Sequence, residues 1–270
     1  MVSKKQGKST EESKGELFQK KTSKIRRLYF DVETSPNIGF FWQPGHKISI
    51  GHENIIHERA IICICYKWSD QNKVYHLQWD AKQNDKKMLI DFIKVANQAD
   101  ELVGHNGDNF DLKWIRTRCY FHDIDMMPSF KTIDTLKEAR KGFRFNSNRL
   151  DYISKFGGST GKIGTSFSLW KDIVLKKCDK SLRYMVKYCK KDVIELETVF
   201  NKMNKYIKPK TSITTCKSDC PECGSENVRN VRITTSASGV KKHQFQCLEC
   251  YKHFTVSNKD VKKVLNAKYK

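Results

Sequence analysis

The chain has 270 residues, enough for one domain with a full core and a small accessory unit. A net charge of +21 spread along the whole chain points to a polyanionic partner, most simply nucleic acid; a lysine-rich protein with no such partner is the alternative, and an anionic membrane surface fits less well. No apolar run approaches the roughly 20 residues of a membrane span, and MVSKKQGKSTEESKG lacks the apolar core of a signal peptide, so a cytoplasmic location is expected.

In chain order, residues 1–24 are rich in Lys, Ser, Glu and Gly and predict a disordered basic arm. LYFDVET, from Leu28 to Thr34, reads as a strand ended by Ser35-Pro36-Asn37. Ala60 to Trp68 and Lys73 to Trp79 are β-rich runs around SDQN, a hairpin signal. Helical spacing follows at Met88, Leu89, Phe92, Ile93, Val95 and Ala96. Next come a short strand at ELVGHN, a helix at FDLKWIRTRCYF, a short strand at KTIDTL, a helix at NRLDYISKFG stopped by Gly157, and a long helix from Ser181 to Tyr206. Three early strands followed by alternating helices and short strands predict an α/β sheet of mixed direction over residues 25–207. Residues 208–216 read as a linker, 217–257 as a cysteine-rich unit and 258–270 as a basic tail.

Three places in the larger domain carry charge where packing alone would not put it. Asp31 and Glu33 sit at i and i+2 of a strand, so both emerge on one face while Phe30 and Val32 pack on the other. Two adjacent carboxylates repel, and oxygen ligands of this kind suit Mg²⁺ or Mn²⁺. Asp108 and Asp111 lie in VGHNGDNFDLKWI, at a strand-to-helix junction where either is alternatively an ordinary helix cap. In the last helix, Met185, Cys189, Leu196, Val199 and Met203 define a buried stripe, and Asp192 falls within it with Tyr188 one turn earlier. A carboxylate at a core position is costly unless it is paired, hydrogen-bonded or bound to a metal.

D-x-E on the first strand, N-x₃-F-D at a later junction and Y-x₃-D in the last helix together resemble the three motifs of the DEDDy-type, DnaQ-like 3′-to-5′ exonucleases of the ribonuclease H-like superfamily. The wording DVETSPN, GHNGDNFD and YCKKD is most similar to stand-alone exonucleases predicted in tailed bacteriophages, which would place the protein in a host bacterial cytoplasm. The resemblance covers Ile25 to Ile207 and implies a ribonuclease H-like mixed five-stranded sheet flanked by helices. It implies two divalent cations, Mg²⁺ or Mn²⁺, with Asp31 bridging them, Glu33 and Asp192 completing the first site and Asp111 reaching the second partly through water. It assigns Tyr188 to orienting the attacking water; the sister subtype carries His where this chain has Lys187. Family spacing favours Asp111, after Phe110, over Asp108.

By the same resemblance Thr34 lies near the terminal nucleotide, and His105 and Asn106 either shape the substrate end or hold the turn. The implied activity is removal of nucleotides from the 3′ ends of DNA, with single-stranded DNA or DNA ends as partner and replication or recombination proteins as associates. An RNase or structure-selective endonuclease on the same scaffold, or a nucleic-acid-binding protein without turnover, are the alternatives. Phe40, Phe41 and Trp42 read as core cover, with base stacking as the other option. Lys190 and Lys191 read as phosphate contacts or a solvated face.

The ten cysteines suit a reducing compartment as buried thiols and metal ligands. Cys220, Cys223, Cys247 and Cys250 form C-x₂-C-x₂₃-C-x₂-C, a spacing suited to one structural, tetrahedral Zn²⁺ and similar to a zinc ribbon. Cys216, His243 and His253 are the competing ligands. Arg229, Arg232, Lys241, Lys242 and Lys252 suit nucleic-acid contact, with protein docking as the runner-up.

Overall fold

The computed structural model describes residues 24–43, 45, 49–161 and 163–261; residues 1–23 of the expected basic arm and 262–270 of the expected tail lie outside them. The strands and helices, in order, are β1 (Arg27–Thr34), β2 (Ile38–Gly39), β3 (Ile55–His57), β4 (Ile61–Trp68), β5 (Val74–Gln78), α1 (Lys86–Ala96), β6 (Glu101–Gly104), α2 (Asp111–His122), β7 (Thr132–Asp134), α3 (Thr135–Gly142), α4 (Leu150–Phe156), α5 (Phe167–Val174), α6 (Asp179–Met203), β8 (Val228–Thr235), β9 (Lys241–Cys247) and β10 (His253–Ser257). None of the described helices is long and apolar enough to cross a membrane.

The main sheet has the order β5-β4-β1-β6-β7, antiparallel across β5, β4 and β1 and parallel across β1, β6 and β7. This is the mixed five-stranded, helix-flanked sheet that the sequence resemblance implies. Every residue of IICICYKW in β4 is buried, because helices cover both faces of the strand. The alternation along β1 sends Leu28, Phe30 and Val32 into one core, with Met88, Leu89, Phe92, Leu112 and Ile115 from α1 and α2. Tyr29 enters the other core, with Met185, Cys189, Val193, Leu196 and Phe200 from α6. Asp31 and Glu33 share the face of Tyr29, so they point to the seam beneath α6.

Several elements differ from the sequence reading. KTIDTL is strand only to Asp134, whose carboxylate accepts from the Leu136 and Lys137 amides and starts α3 at once. α5 and the small β2–β3 ladder are additions to the sequence reading; α5 has helical spacing at Phe167, Trp170, Ile173 and Val174, and the ladder is too short for a pattern. The last helix runs from Asp179 to Met203 and closes with a 3₁₀ turn, Asn204–Tyr206. Phe40, Phe41 and Trp42 do not cover the core: they are 74%, 58% and 106% exposed.

The C-terminal unit is a three-stranded sheet in the order β10-β9-β8, and its four-cysteine cluster is compatible with a zinc ribbon. It docks on the larger domain through buried charges. Arg27, the first residue of β1, gives its Nε to Glu101 at 2.8 Å and its Nη1 and Nη2 to Glu222 at 2.7 and 3.0 Å. Glu222 stands between Cys220 and Cys223, and Asn204 Nδ2 donates to it at 3.0 Å. Lys252, expected on the nucleic-acid-facing surface, is instead 2% exposed and donates to the carbonyl and side-chain oxygens of Asn204, each at 2.6 Å. The aliphatic stem of a lysine packs well in such a seam once its ammonium is satisfied. Thr211 of the expected linker donates to Glu101 at 2.6 Å, so that segment is also fastened to the sheet.

Removing one partner of a buried ion pair leaves the other uncompensated. Glu222→Ala is therefore expected to lower the unfolding free energy by about 3 kcal/mol. Chemical denaturation checks this: the transition midpoint falls, and Glu222→Gln, which keeps the hydrogen bond from Asn204, loses less.

Candidate metal centre

α6 crosses the β1–β4 face of the sheet, and its buried stripe decides where Asp192 lands. The helix packs through Met185, Cys189, Val193, Leu196 and Phe200, and Asp192, 2% exposed, is carried inward with them. Beneath it stand the two acids of β1. One carboxylate oxygen from each of Asp31, Glu33 and Asp192 lies within 4.8 Å of the others, a separation that suits shared coordination of a divalent cation. Burial pushes the Asp31 carboxyl well above the usual carboxylate range, and the Cys189 thiol and the charges of Asp111, Glu33 and Asp192 push it further the same way. A bound divalent cation reverses this balance by favouring the ionised form. Tyr188, one turn before Asp192, is half-buried and packs against the same core.

Asp111 is not one of the three converging acids, although it lies close enough to raise the Asp31 carboxyl. It opens α2, is 4% exposed, and its Oδ1 accepts from the Val32 amide at 2.9 Å, which fixes it against β1. Asp108 is drawn away to Lys137 at 2.8 Å. The turn between β6 and α2 folds tightly under Phe30: a Cβ on Gly104 would meet the Gly107 Cα at 3.0 Å. Asn106 adopts φ 67°, and its amide donates to Asp134 Oδ1 at 2.9 Å. His105 bridges Thr135 Oγ1 at 2.9 Å and the Asn148 carbonyl at 3.0 Å. Both residues thus brace the turn that presents Asp111.

Beside the acids, Glu33 and Thr34 border a cavity of about 280 Å³ walled by Arg59, Phe110, Phe167 and Trp170. Trp170 Nε1 donates to the Thr34 carbonyl at 3.0 Å, fastening α5 to the end of β1. Sequence reasoning missed this wall; the i, i+3 pair Phe167 and Trp170 was the available signal. Lys191 is not a free phosphate contact, since its Nζ binds Glu195 at 2.5 Å and Thr160 at 3.0 Å. Lys190 lies near His76 and Cys65, the latter paired with Asp31 across β1 and β4.

In the C-terminal unit the sulfurs of Cys220, Cys223, Cys247 and Cys250 lie within 4.8 Å of one another, with Cys220–Cys250 at 3.5 Å and Cys223–Cys247 at 3.6 Å. Sulfurs about 2.3 Å from a tetrahedral Zn²⁺ stand about 3.8 Å apart, so the set fits that ion. Gly224, with φ 72°, makes the turn that returns its amide to the Cys220 carbonyl at 2.8 Å. Cys216 lies outside the set with its sulfur on Ser218, and the two His243 nitrogens are taken by Asn230 and Asn258.

The raised Asp31 carboxyl gives cation binding a pH dependence. Mn²⁺ is expected to displace a proton as it binds, so affinity rises with pH. Isothermal calorimetry in two buffers of different ionisation enthalpy reads this release, and Asp31→Asn is expected to abolish both the release and most of the binding.

Residues 28–204, from the second residue of β1 to the 3₁₀ turn after α6, match a family model described as RNase_H superfamily. A comparison with curated proteins gives no match. Among solved structures, the family B DNA polymerase from the hyperthermophilic archaeon Pyrobaculum calidifontis is similar with a TM-score of 0.52 at 15% identity, over 67% of this chain and 25% of the polymerase chain. The likeness is one of fold, and this chain matches about a quarter of the polymerase. Since the family match takes in all five strands of the sheet and both segments that bring the carboxylates together, the chain belongs to the RNase_H superfamily.

Proposed function

We propose that this protein is a metal-dependent 3′-to-5′ exonuclease that hydrolyses phosphodiester bonds at nucleic-acid ends, with DNA as the principal substrate. The observation that carries the reading is the convergence of Asp31, Glu33 and Asp192 within 4.8 Å, with Tyr188 one helical turn from Asp192. The family supports nucleic-acid hydrolysis in general, and the tyrosine pattern of α6 supports the DEDDy subtype. Asp31, Glu33 and Asp192 would hold a first Mg²⁺ or Mn²⁺, and Asp31 and Asp111 would help to hold a second. When bound, such a pair supplies Lewis acidity that eases deprotonation of water and stabilises charge on the departing oxygen.

The chain's own residues do the rest. The Tyr188 hydroxyl, which can both donate and accept a hydrogen bond, orients the attacking water. Thr34, Phe110, Phe167 and Trp170 border the space where the terminal nucleotide sits, and aromatic faces accept any base. His105 and Asn106 contribute by holding the turn that shapes that end of the site. The four-cysteine unit takes one structural Zn²⁺, and the exposed Arg229, Arg232, Lys241 and Lys242 supply sequence-independent grip on the phosphate backbone.

Digestion of 5′-labelled and 3′-labelled single-stranded DNA, duplex DNA and RNA with Mg²⁺ or Mn²⁺ tests the reading. Stepwise release of mononucleotides from DNA 3′ ends is expected, and an Asp31→Ala/Glu33→Ala variant should be inactive. Tyr188→Phe should slow single-turnover hydrolysis by about a hundredfold with metal and substrate binding retained. Release from RNA alone, or equal cleavage by the double variant, contradicts the assignment.

A further inference from the structure

A second ligand cluster lies one layer beside the carboxylates. Cys63 and Cys65 alternate onto the α6 face of β4, opposite Glu33 and Asp31 respectively in the β1–β4 register. Cys189 meets them from α6, between Tyr188 and Asp192. All three are fully buried, and their sulfurs lie within 4.8 Å of one another. The Cys189 thiol donates to the Asp31 carbonyl at 3.4 Å, and the Cys65 thiol to the Val186 carbonyl at 3.7 Å. The trio is thus set on two rigid elements and bonded directly to the backbone of the site.

Three sulfurs placed about 2.3 Å from one ion in a plane stand about 4 Å apart, a spacing that the 4.8 Å limit on the three sulfurs admits. Thiolate sulfur selects soft cations over Mg²⁺ and Mn²⁺, which prefer the carboxylates next door. Charge narrows the choice further. Three thiolates around a divalent cation leave one net negative charge in the seam, whereas a monovalent cation leaves two beside an acidic cluster.

We propose that Cys63, Cys65 and Cys189 form a separate metal site for a thiophilic divalent cation, such as cadmium or excess zinc, whose occupancy slows the chemistry at the neighbouring carboxylates. Binding releases the three thiol protons to solvent, so Cys189 no longer donates to the Asp31 carbonyl, and a net negative charge is left beside Asp31 and Asp192. Site occupancy stands on the sulfur geometry alone, while the effect on turnover rests on the hydrolytic function proposed above.

The test uses full-length, zinc-loaded protein in excess Mg²⁺, titrated with Cd²⁺ and followed by sulfur-to-cadmium charge-transfer absorbance, released zinc and bound-metal analysis. Cys63→Ala and Cys65→Ala each open the sulfur triangle and serve as paired controls, so misfolding of one leaves the other. The natural protein is expected to take up one more equivalent of Cd²⁺ than either variant, and its turnover to fall roughly tenfold as that equivalent binds. Equal uptake by all three proteins shows that the thiols only pack the core and overturns the site. One extra equivalent with turnover equally affected in all three overturns the inhibitory role. Absence of hydrolysis with Mg²⁺ alone refutes the exonuclease reading and leaves the uptake result to decide the site.

Discussion

Mutual repulsion among carboxylates held in a packed seam is the constraint around which this structure is organised. Asp31 and Glu33 cannot turn away, because the alternation of β1 commits Phe30 and Val32 to the opposite core. Asp192 cannot turn away either, because rotating α6 to expose it would expose Met185, Cys189 and Leu196 as well. Packing on both faces of one strand therefore forces negative charge together, and a cation is the simplest species that relieves it. The same reasoning accounts for Asp111, whose carboxylate is fixed on the Val32 amide at the start of a helix, where backbone dipoles favour an anion.

The ends of β1 serve different purposes. Its C-terminal half presents the acids, and its first residue, Arg27, anchors a network that joins Glu101 of β6, Glu222 of the cysteine unit and, through Asn204, the end of α6. Glu222 lies within the first cysteine pair and Lys252 two residues after the second, so the cysteine loops are themselves the docking surface. Loss of order around those cysteines would leave Arg27 and Glu101 short of partners at the base of the strand that carries Asp31. The cysteine unit is accordingly a brace for the larger domain as well as a source of positive charge.

Much of this was legible in the sequence because it follows from simple periodicity. Two-residue alternation placed Asp31 with Glu33, helical stripes placed Asp192 inward, and paired C-x₂-C spacings brought the four cysteines together. What escaped depends on contacts between distant segments. The aromatic wall of Phe110, Phe167 and Trp170 is built from a loop end and a short helix more than fifty residues apart, which meet only in the fold. Lys252 looked like any other surface lysine, and only the fold shows it buried on Asn204. Cys63, Cys65 and Cys189 were each visible as core thiols, yet their meeting is fixed by the placement of α6 on β4.

The most direct measurement is anomalous X-ray scattering from crystals grown with Mn²⁺. The account predicts a strong manganese peak bonded to oxygens of Asp31, Glu33 and Asp192, with a second peak on the Asp31 and Asp111 side. Manganese bound only elsewhere, with Asp31 and Asp192 joined by a short hydrogen bond through a shared proton, would contradict it.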